Sequence, residues 1–320
     1  MRWKGEPATV LAAATATYSG DLTTPARWPT WVPRKGDILV CTPPKCGTTW
    51  TQAMLAMLLH GGREIPERIP ILSPWVDAAL GDAKEVATSL ERQLARRVVK
   101  THTPADGFPV WEGVTVVAVY RHPLDIFFSL RKHAWNRKGA IDHPMRRPLE
   151  IALAFYLSSE LRVDDFDRDT LATVAQHFRA TVLGRRIPKL VLLHYADMIA
   201  DRRGTVRQLA EGAEIEANET LIDEVVNATG FETMRAGADR FVPEAGTGFW
   251  EDEAAFFDSG TNEKWRGQLG DGDLELYAAR IGELVPEVRA RRWLEFGGKD
   301  FSGAIDRRSL RCPLECPQRR

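Results

Sequence analysis

Asp37-Ile38-Leu39-Val40-Cys41-Thr42-Pro43-Pro44-Lys45-Cys46-Gly47-Thr48-Thr49-Trp50 runs from an apolar segment through a turn into helical spacing. Residues 38–41 read as a short buried strand. Pro43, Pro44 and Gly47 shape a tight turn, and beyond it Met54, Leu55, Leu58 and Leu59 recur at helical intervals. A helix that begins at such a turn offers unpaired backbone N–H groups and the positive end of its dipole, which together favour a phosphate or sulfate. The hydroxyls of Thr48 and Thr49 add donors, and Lys45 adds a full positive charge. A Walker A loop has four residues between two glycines and a Lys directly after the second. Here Lys45 precedes Gly47 instead, and Trp50 offers a flat side chain to a base or substrate, so a different phosphate loop is implied.

The rest of the chain repeats the pattern of strand followed by helix. β-rich apolar runs lie at 38–41, 97–100, 115–120 and 190–194, with helical spacing at 49–60, 124–135, 149–166, 171–183, 206–212, 219–228 and 272–284. Strands separated by helices predict an α/β fold with a mostly parallel central sheet flanked by helices. Ligands of such sheets bind beyond the carboxyl ends of the strands, where the chemistry-bearing residues of this chain also fall. Residues 240–272 are rich in Gly, acidic and aromatic residues and read as a long loop able to cap a site.

With 320 residues, 44% apolar and 27% charged, the chain has the composition of a globular protein, expected as a single domain over 1–300 with a flexible tail over 301–320. A net charge of -1 argues against a general nucleic-acid or membrane-surface binder. No run of about 18 apolar residues appears and no secretion signal is recognisable, so a cytoplasmic location is expected. Four cysteines are too few for a disulfide framework. Cys41 reads as core and Cys46 as a small turn residue rather than a reactive thiol. Cys312 and Cys316 lack the further ligands of a zinc site, and no metal is expected.

Two more strand ends carry candidate chemistry. Lys100-Thr101-His102 puts a cation and an imidazole after the second strand, and a His there can take a proton from an attacking hydroxyl near neutral pH. Arg121 closes the third strand, with Ser129 on the helix that follows. An Arg fork and a hydroxyl suit a phosphate monoester, while a surface ion pair is the plainer role for such an Arg.

Taken together, these pieces resemble the cytosolic PAPS-dependent sulfotransferases, which use 3′-phosphoadenosine 5′-phosphosulfate (PAPS) as sulfuryl donor, across about residues 35–269 in the family's order. The resemblance implies the P-loop-like sulfotransferase fold. It makes Lys45, Cys46, Gly47, Thr48, Thr49 and Trp50 the 5′-phosphosulfate loop, with Trp50 also against adenine. Lys100 and His102 match its Lys-Thr-His motif, in which His is the catalytic base; Lys45 and Lys100 would assist as charge stabilisers. Arg121 and Ser129, eight positions apart as in the family, match the 3′-phosphate site. Tyr195 matches its Tyr-Glu-Asp-Met element, and Thr229-Gly230-Phe231 resembles its Thr-Ser-Phe adenine element with one side chain removed.

Gly260 and Trp265 align with the family's closing motif, which puts Asp258 and Ser259 where Arg and Lys would contact the 3′-phosphate. Either Lys264 or Arg266 substitutes, or nucleotide binding is weaker. The family's dimer motif is degraded to Arg266, Gly270-Asp271 and Glu275, which leaves the oligomeric state open. The function implied is sulfuryl transfer from PAPS to a hydroxyl or amine of a small, apolar acceptor. Trp75, Phe108, Trp111, Phe249, Trp250, Phe256 and Phe257 are candidates for the acceptor pocket, with core packing as the plainer role of most. The competing readings are a binding module without turnover and an ATP-type kinase on a related phosphate-loop fold.

Overall fold

The computed structural model describes residues 5–62, 65–298 and 301. The apolar run after Asp37 forms a strand (β2, Ile38–Cys41), preceded by a short strand near the N-terminus (β1, Val10–Ala12). Four further strands follow: β3 (Val98–Thr101), β4 (Val110–Trp111), β5 (Thr115–Tyr120) and β6 (Leu190–His194). The expected central sheet is present, all parallel, in the order β3-β2-β5-β6. A small antiparallel pair, β1 with β4, was not expected; its strands are too short for a periodic signal.

Every residue of β2 and β5 is buried, because helices or loops cover both faces of the sheet. Alternation along β2 sends Ile38 and Val40 to one core, with α1 (Thr48–Leu59), and Leu39 and Cys41 to another, with Trp31, Phe108 and Trp111. From β5, Ala118 and Tyr120 enter a third core built on the helices Pro123–Asn136, Leu149–Ser158, Leu171–Phe178 and Asp271–Leu284.

The strand expected from residue 97 begins one residue later. Arg97 is instead buried as the partner of Asp37, with its Nη2 donating to the Asp37 carboxylate at 2.5 Å. The helix expected over 149–166 stops at Ser158. Ser159 turns extended, and the backbone beyond it pairs with Ser19: Ser19 N–H donates to Val163 O and Phe166 N–H to Ser19 O, each at 2.8 Å. The helix expected over 171–183 is α-helical to Phe178 and closes in a π-helical turn, Arg179–Leu183. The helix expected from 206 starts earlier, at Arg202, where Asp201 caps it by accepting from Gly204 N–H.

The sequence reading missed the helices Ala83–Arg92 and Val288–Phe296, which bury only Leu90 and only Ala290, Trp293 and Leu294 respectively. Phe301 packs beside Trp293, with ring centroids 5.1 Å apart. Cys312, Cys316 and the remainder of the expected tail lie outside the described residues. Among the described residues no helix is long and apolar enough to cross a membrane.

Candidate active site

The sheet order places β2 between β3 and β5, so the chain leaves β2 in one direction and returns on its other side. The loop after β2 sits at this switch point, where an open parallel sheet has its crevice. The carboxyl ends of β3, β2, β5 and β6 therefore present, side by side, His102, the Lys45 loop, Arg121 and Tyr195. They line one cavity of about 990 Å³, together with Gly47, Thr48, Thr49, Trp50, Lys100, Ser129, Thr229, Phe231 and Gly260.

Lys45 and Gly47 both take left-handed backbone angles, φ 65° and 96°, which turn the chain sharply into α1. Glycine is required at the second of these positions, because a Cβ on Gly47 would stand 2.9 Å from the Tyr195 ring. No side chain caps α1, which leaves its first N–H groups available to an anion. Thr48 Oγ1 shares a 2.6 Å hydrogen bond with Thr42 Oγ1. Trp50 donates from Nε1 to Thr229 O at 2.9 Å and meets Tyr195 edge-on, with centroids 5.8 Å apart. Opposite them, Gly260 has φ 63°, and a Cβ there would stand 2.8 Å from the Phe231 ring.

Buried positive charge collects around this loop and outweighs the nearby carboxylates Asp258 and Asp169 in their effect on Lys45. Arg121 is buried over the Tyr195 ring at 4.3 Å and donates to Thr261 O at 2.7 Å, while its Nε is buried with no partner. Burial, then the charges of Arg121 and Lys264, lowers the Lys45 pKa to about 7. Lys45 Nζ rests 3.0 Å from His133 Nδ1 and 4.6 Å from the centre of the Phe256 ring. A buried ammonium displaced this far from its ordinary range, beside an orphaned guanidinium donor, is short of an anion. The residues present therefore fit a nucleotide carrying phosphate and sulfate groups.

On the β3 side, His102 Nδ1 lies 2.6 Å from the carbonyl oxygen of Thr42. A carbonyl only accepts, so Nδ1 carries the proton and Nε2 keeps its lone pair. Burial, then the charge of Lys100, pushes the His102 pKa well below its ordinary value. Lys100 is itself lowered by burial to about 8 and lies 4.9 Å over the Trp75 ring.

Residues 35–287 match the family model described as the sulfotransferase domain. The chain belongs to the sulfotransferase family. It is 28% identical over 289 residues to a glycolipid sulfotransferase of Mycobacterium bovis, covering 81% of this chain and 88% of that one. It is 24% identical over 212 residues to human sulfotransferase 1E1, covering 63% and 67%. Its fold is similar to a mouse sulfotransferase solved in complex with PAP, with a TM-score of 0.63 at 16% identity over 85% of this chain and 90% of that one. A retinol dehydratase solved with androsterone and inactive cofactor PAP also has a TM-score of 0.63, at 16% identity over 80% and 82%. The chain is thus a PAPS-dependent sulfotransferase, as its motifs implied.

Two expectations for the sulfotransferase site change with the coordinates. Cys46 does not line the cavity: its side chain is fully buried in the core, and burial pushes the thiol up to about 12, so only its backbone can serve the loop. Phe108 and Trp111 are core residues stacked 6.1 Å apart behind β2, away from the acceptor pocket. Trp75, Phe249, Trp250, Phe256 and Phe257 do line the cavity.

In the sulfotransferase, Asp258 is engaged by two lysines. Its carboxylate is bonded by Lys264 Nζ and, at 3.0 Å, by Lys132 Nζ; burial opposes its ionisation, and these two partners outweigh burial and lower its pKa. Lys264 is carried toward Arg121 because its backbone N–H, with that of Glu263, donates to Asp125 at 2.7 and 2.9 Å. Arg266 instead pairs with Glu263 on the exposed side. Lys132, His133 and Arg137 beside the site escaped the sequence reading; their spacing after Ser129 on one helix was the available signal.

Proposed function

We propose that His102 is the general base for sulfuryl transfer from PAPS to a hydroxyl group of a small acceptor. The observation that carries this reading is the Thr42 carbonyl bond to His102 Nδ1, which leaves Nε2 basic within the cavity that holds the anion loop. Nε2 would take the acceptor's proton as its oxygen attacks sulfur in line with the bridging P–O–S oxygen. Lys45 would neutralise charge developing on that leaving oxygen, and the N–H groups and hydroxyls at the start of α1 would hold the departing phosphate. Lys100 would stabilise the sulfuryl oxygens, and preorganised charge of this sort typically contributes about 3 kcal/mol for each donor. Arg121, Ser129 and Lys264 would hold the 3′-phosphate, and Trp50, Tyr195, Thr229, Phe231 and Gly260 the adenosine.

For the acceptor we propose a molecule with an apolar part. Trp75, Phe249, Trp250, Phe256 and Phe257 on the cavity wall support this, as does the likeness to enzymes named for glycolipid acceptors. Transfer of label from ³⁵S-PAPS to a panel of alcohols, phenols and alkyl glycosides tests the reading. Full turnover by His102→Asn would remove His102 as the base. A thermal shift with ADP and magnesium but none with PAP would favour the kinase reading.

A further inference from the structure

The cavity wall holds a carboxylate and a guanidinium that neither sulfuryl transfer nor donor binding uses. Asp169 lies just before the helix Leu171–Phe178, and Arg137 ends the helix Pro123–Asn136. Both line the cavity. Asp167 nearby is engaged by the fold, accepting from Leu22 N–H, Thr23 N–H and Thr23 Oγ1, each at 2.7 Å.

Asp169 has no such anchor. The imidazole of His143 approaches it at 3.7 Å, too far for a hydrogen bond, and burial followed by the charges of Arg137 and Arg146 holds that imidazole below its ordinary pKa, against a charged pair. Burial, then the charge of Asp167, raises the Asp169 pKa to about 7, against the opposing pull of Arg137 and Lys45. Arg137 lies 5.1 Å over the Phe249 ring; its Nε is buried without a partner, and its guanidinium donates no hydrogen bond to a described residue. Both side chains therefore retain hydrogen-bonding capacity toward the cavity.

The pair restricts what can lie against it. A cationic ligand would be opposed by Arg137, Lys45 and Lys100, and a carboxylate by Asp169 and Asp167. A purely apolar group would leave both polar heads dehydrated and unpaired, which is costly. A neutral polyol satisfies both, since one hydroxyl donates to Asp169 while another accepts from Arg137. We propose that Asp169 and Arg137 form a polyol subsite that selects acceptors with a sugar-like head, whose apolar remainder packs on Phe249, Trp250 and Phe256. The proposal rests on the acceptor-pocket reading but not on turnover.

The test is calorimetry on PAP-loaded protein with octyl β-D-glucoside, below its micellar concentration, and with 1-octanol. The glucoside binds about tenfold or more tighter, as expected of hydrogen bonds to charged groups. Asp169→Ala and Arg137→Met each collapse that ratio, and Asp169→Asn, which keeps shape and one acceptor oxygen, gives an intermediate ratio with normal PAP binding. Equal affinity for the two ligands in the unmodified protein, or a ratio unchanged in Asp169→Ala or Asp169→Asn, overturns the subsite. A retained glucoside preference with no label transfer from PAPS to either ligand would sink the catalytic reading and leave the subsite standing.

Discussion

His102 Nδ1 and the carbonyl oxygen of Thr42 stand 2.6 Å apart, joining the candidate base at the end of β3 to the first residue of the loop after β2. The contact follows from parallel register, in which Cys41 pairs with Thr101 and so sets the next residues of both strands side by side. The same backbone that shapes the anion loop thereby selects the imidazole tautomer. The position of the loop and the orientation of the imidazole are two consequences of one strand pairing.

His102→Asn removes the basic nitrogen while leaving a side chain that can still donate to Thr42. Transfer falls by at least about a hundredfold, the usual scale for losing a general base. PAP affinity, read by calorimetry, changes by less than about threefold because the charge around Lys45 is intact.

Lys45 makes PAP binding pH-dependent. With its pKa lowered to about 7, a growing fraction of the free protein carries neutral Lys45 as pH rises above that value. The nucleotide's anions favour the ammonium, so binding takes up a proton, and affinity weakens as pH rises from about 7 to 9. Calorimetry in two buffers of different ionisation enthalpy measures the uptake. Lys45→Met abolishes the uptake along with most of the affinity; uptake that persists in this variant assigns it to another group.

Lys264→Ala tests the 3′-phosphate clamp. It weakens PAP about tenfold, the scale of a charged hydrogen bond, but leaves adenosine 5′-phosphosulfate, which lacks that phosphate, within about twofold. Equal losses for both ligands would place Lys264 elsewhere on the nucleotide. Asp258→Ala, by freeing Lys264 and Lys132 from the carboxylate they now share, tightens PAP.

Gly47→Ala combines a left-handed φ of 96° with a Cβ placed 2.9 Å from the Tyr195 ring. Backbone strain costs about 1–2 kcal/mol, and Tyr195 must move from its contact with Trp50. Urea denaturation shows the stability loss, and PAP affinity falls with it. Gly246→Ala, with φ 82° but nothing near its Cβ, isolates the backbone part of the effect.

Arg97 and Asp37 form a buried ion pair at the amino end of the sheet, where Trp31 Nε1 also donates to Asp37. Arg97→Ala strands the carboxylate and lowers stability by about 3–5 kcal/mol. PAP affinity of the folded fraction is unchanged, since the pair lies at the opposite end of β2 and β3 from the loop.

Local signals were sufficient where one segment does the work. Val40-Cys41 followed by the Lys45 turn gave strand, loop and helix because apolar periodicity and turn chemistry agree there. Arg121 and Ser129 were legible through the strand-end Arg and the helix after it. The helix end at Ser158 was not, because the competing hydrogen bonds come from Ser19, far away in sequence. The burial of Cys46, and the choice between acceptor pocket and core packing for Phe108 and Trp111, were not legible, because they depend on which layer each side chain meets once the sheet is covered.

The sequence by itself determined the four strands of the central sheet in chain order, the kind of anion loop and the residues at each strand end, since these depend on short-range periodicity and backbone chemistry. Only the tertiary structure decided that Lys264 joins Arg121 while Asp258 is occupied by two lysines, and that Asp169 and Arg137 face one cavity. Apart from Lys264 and Asp258 on one loop, these pairings join segments more than thirty residues apart, and burial and electrostatic partnership exist only once the sheet has brought them together.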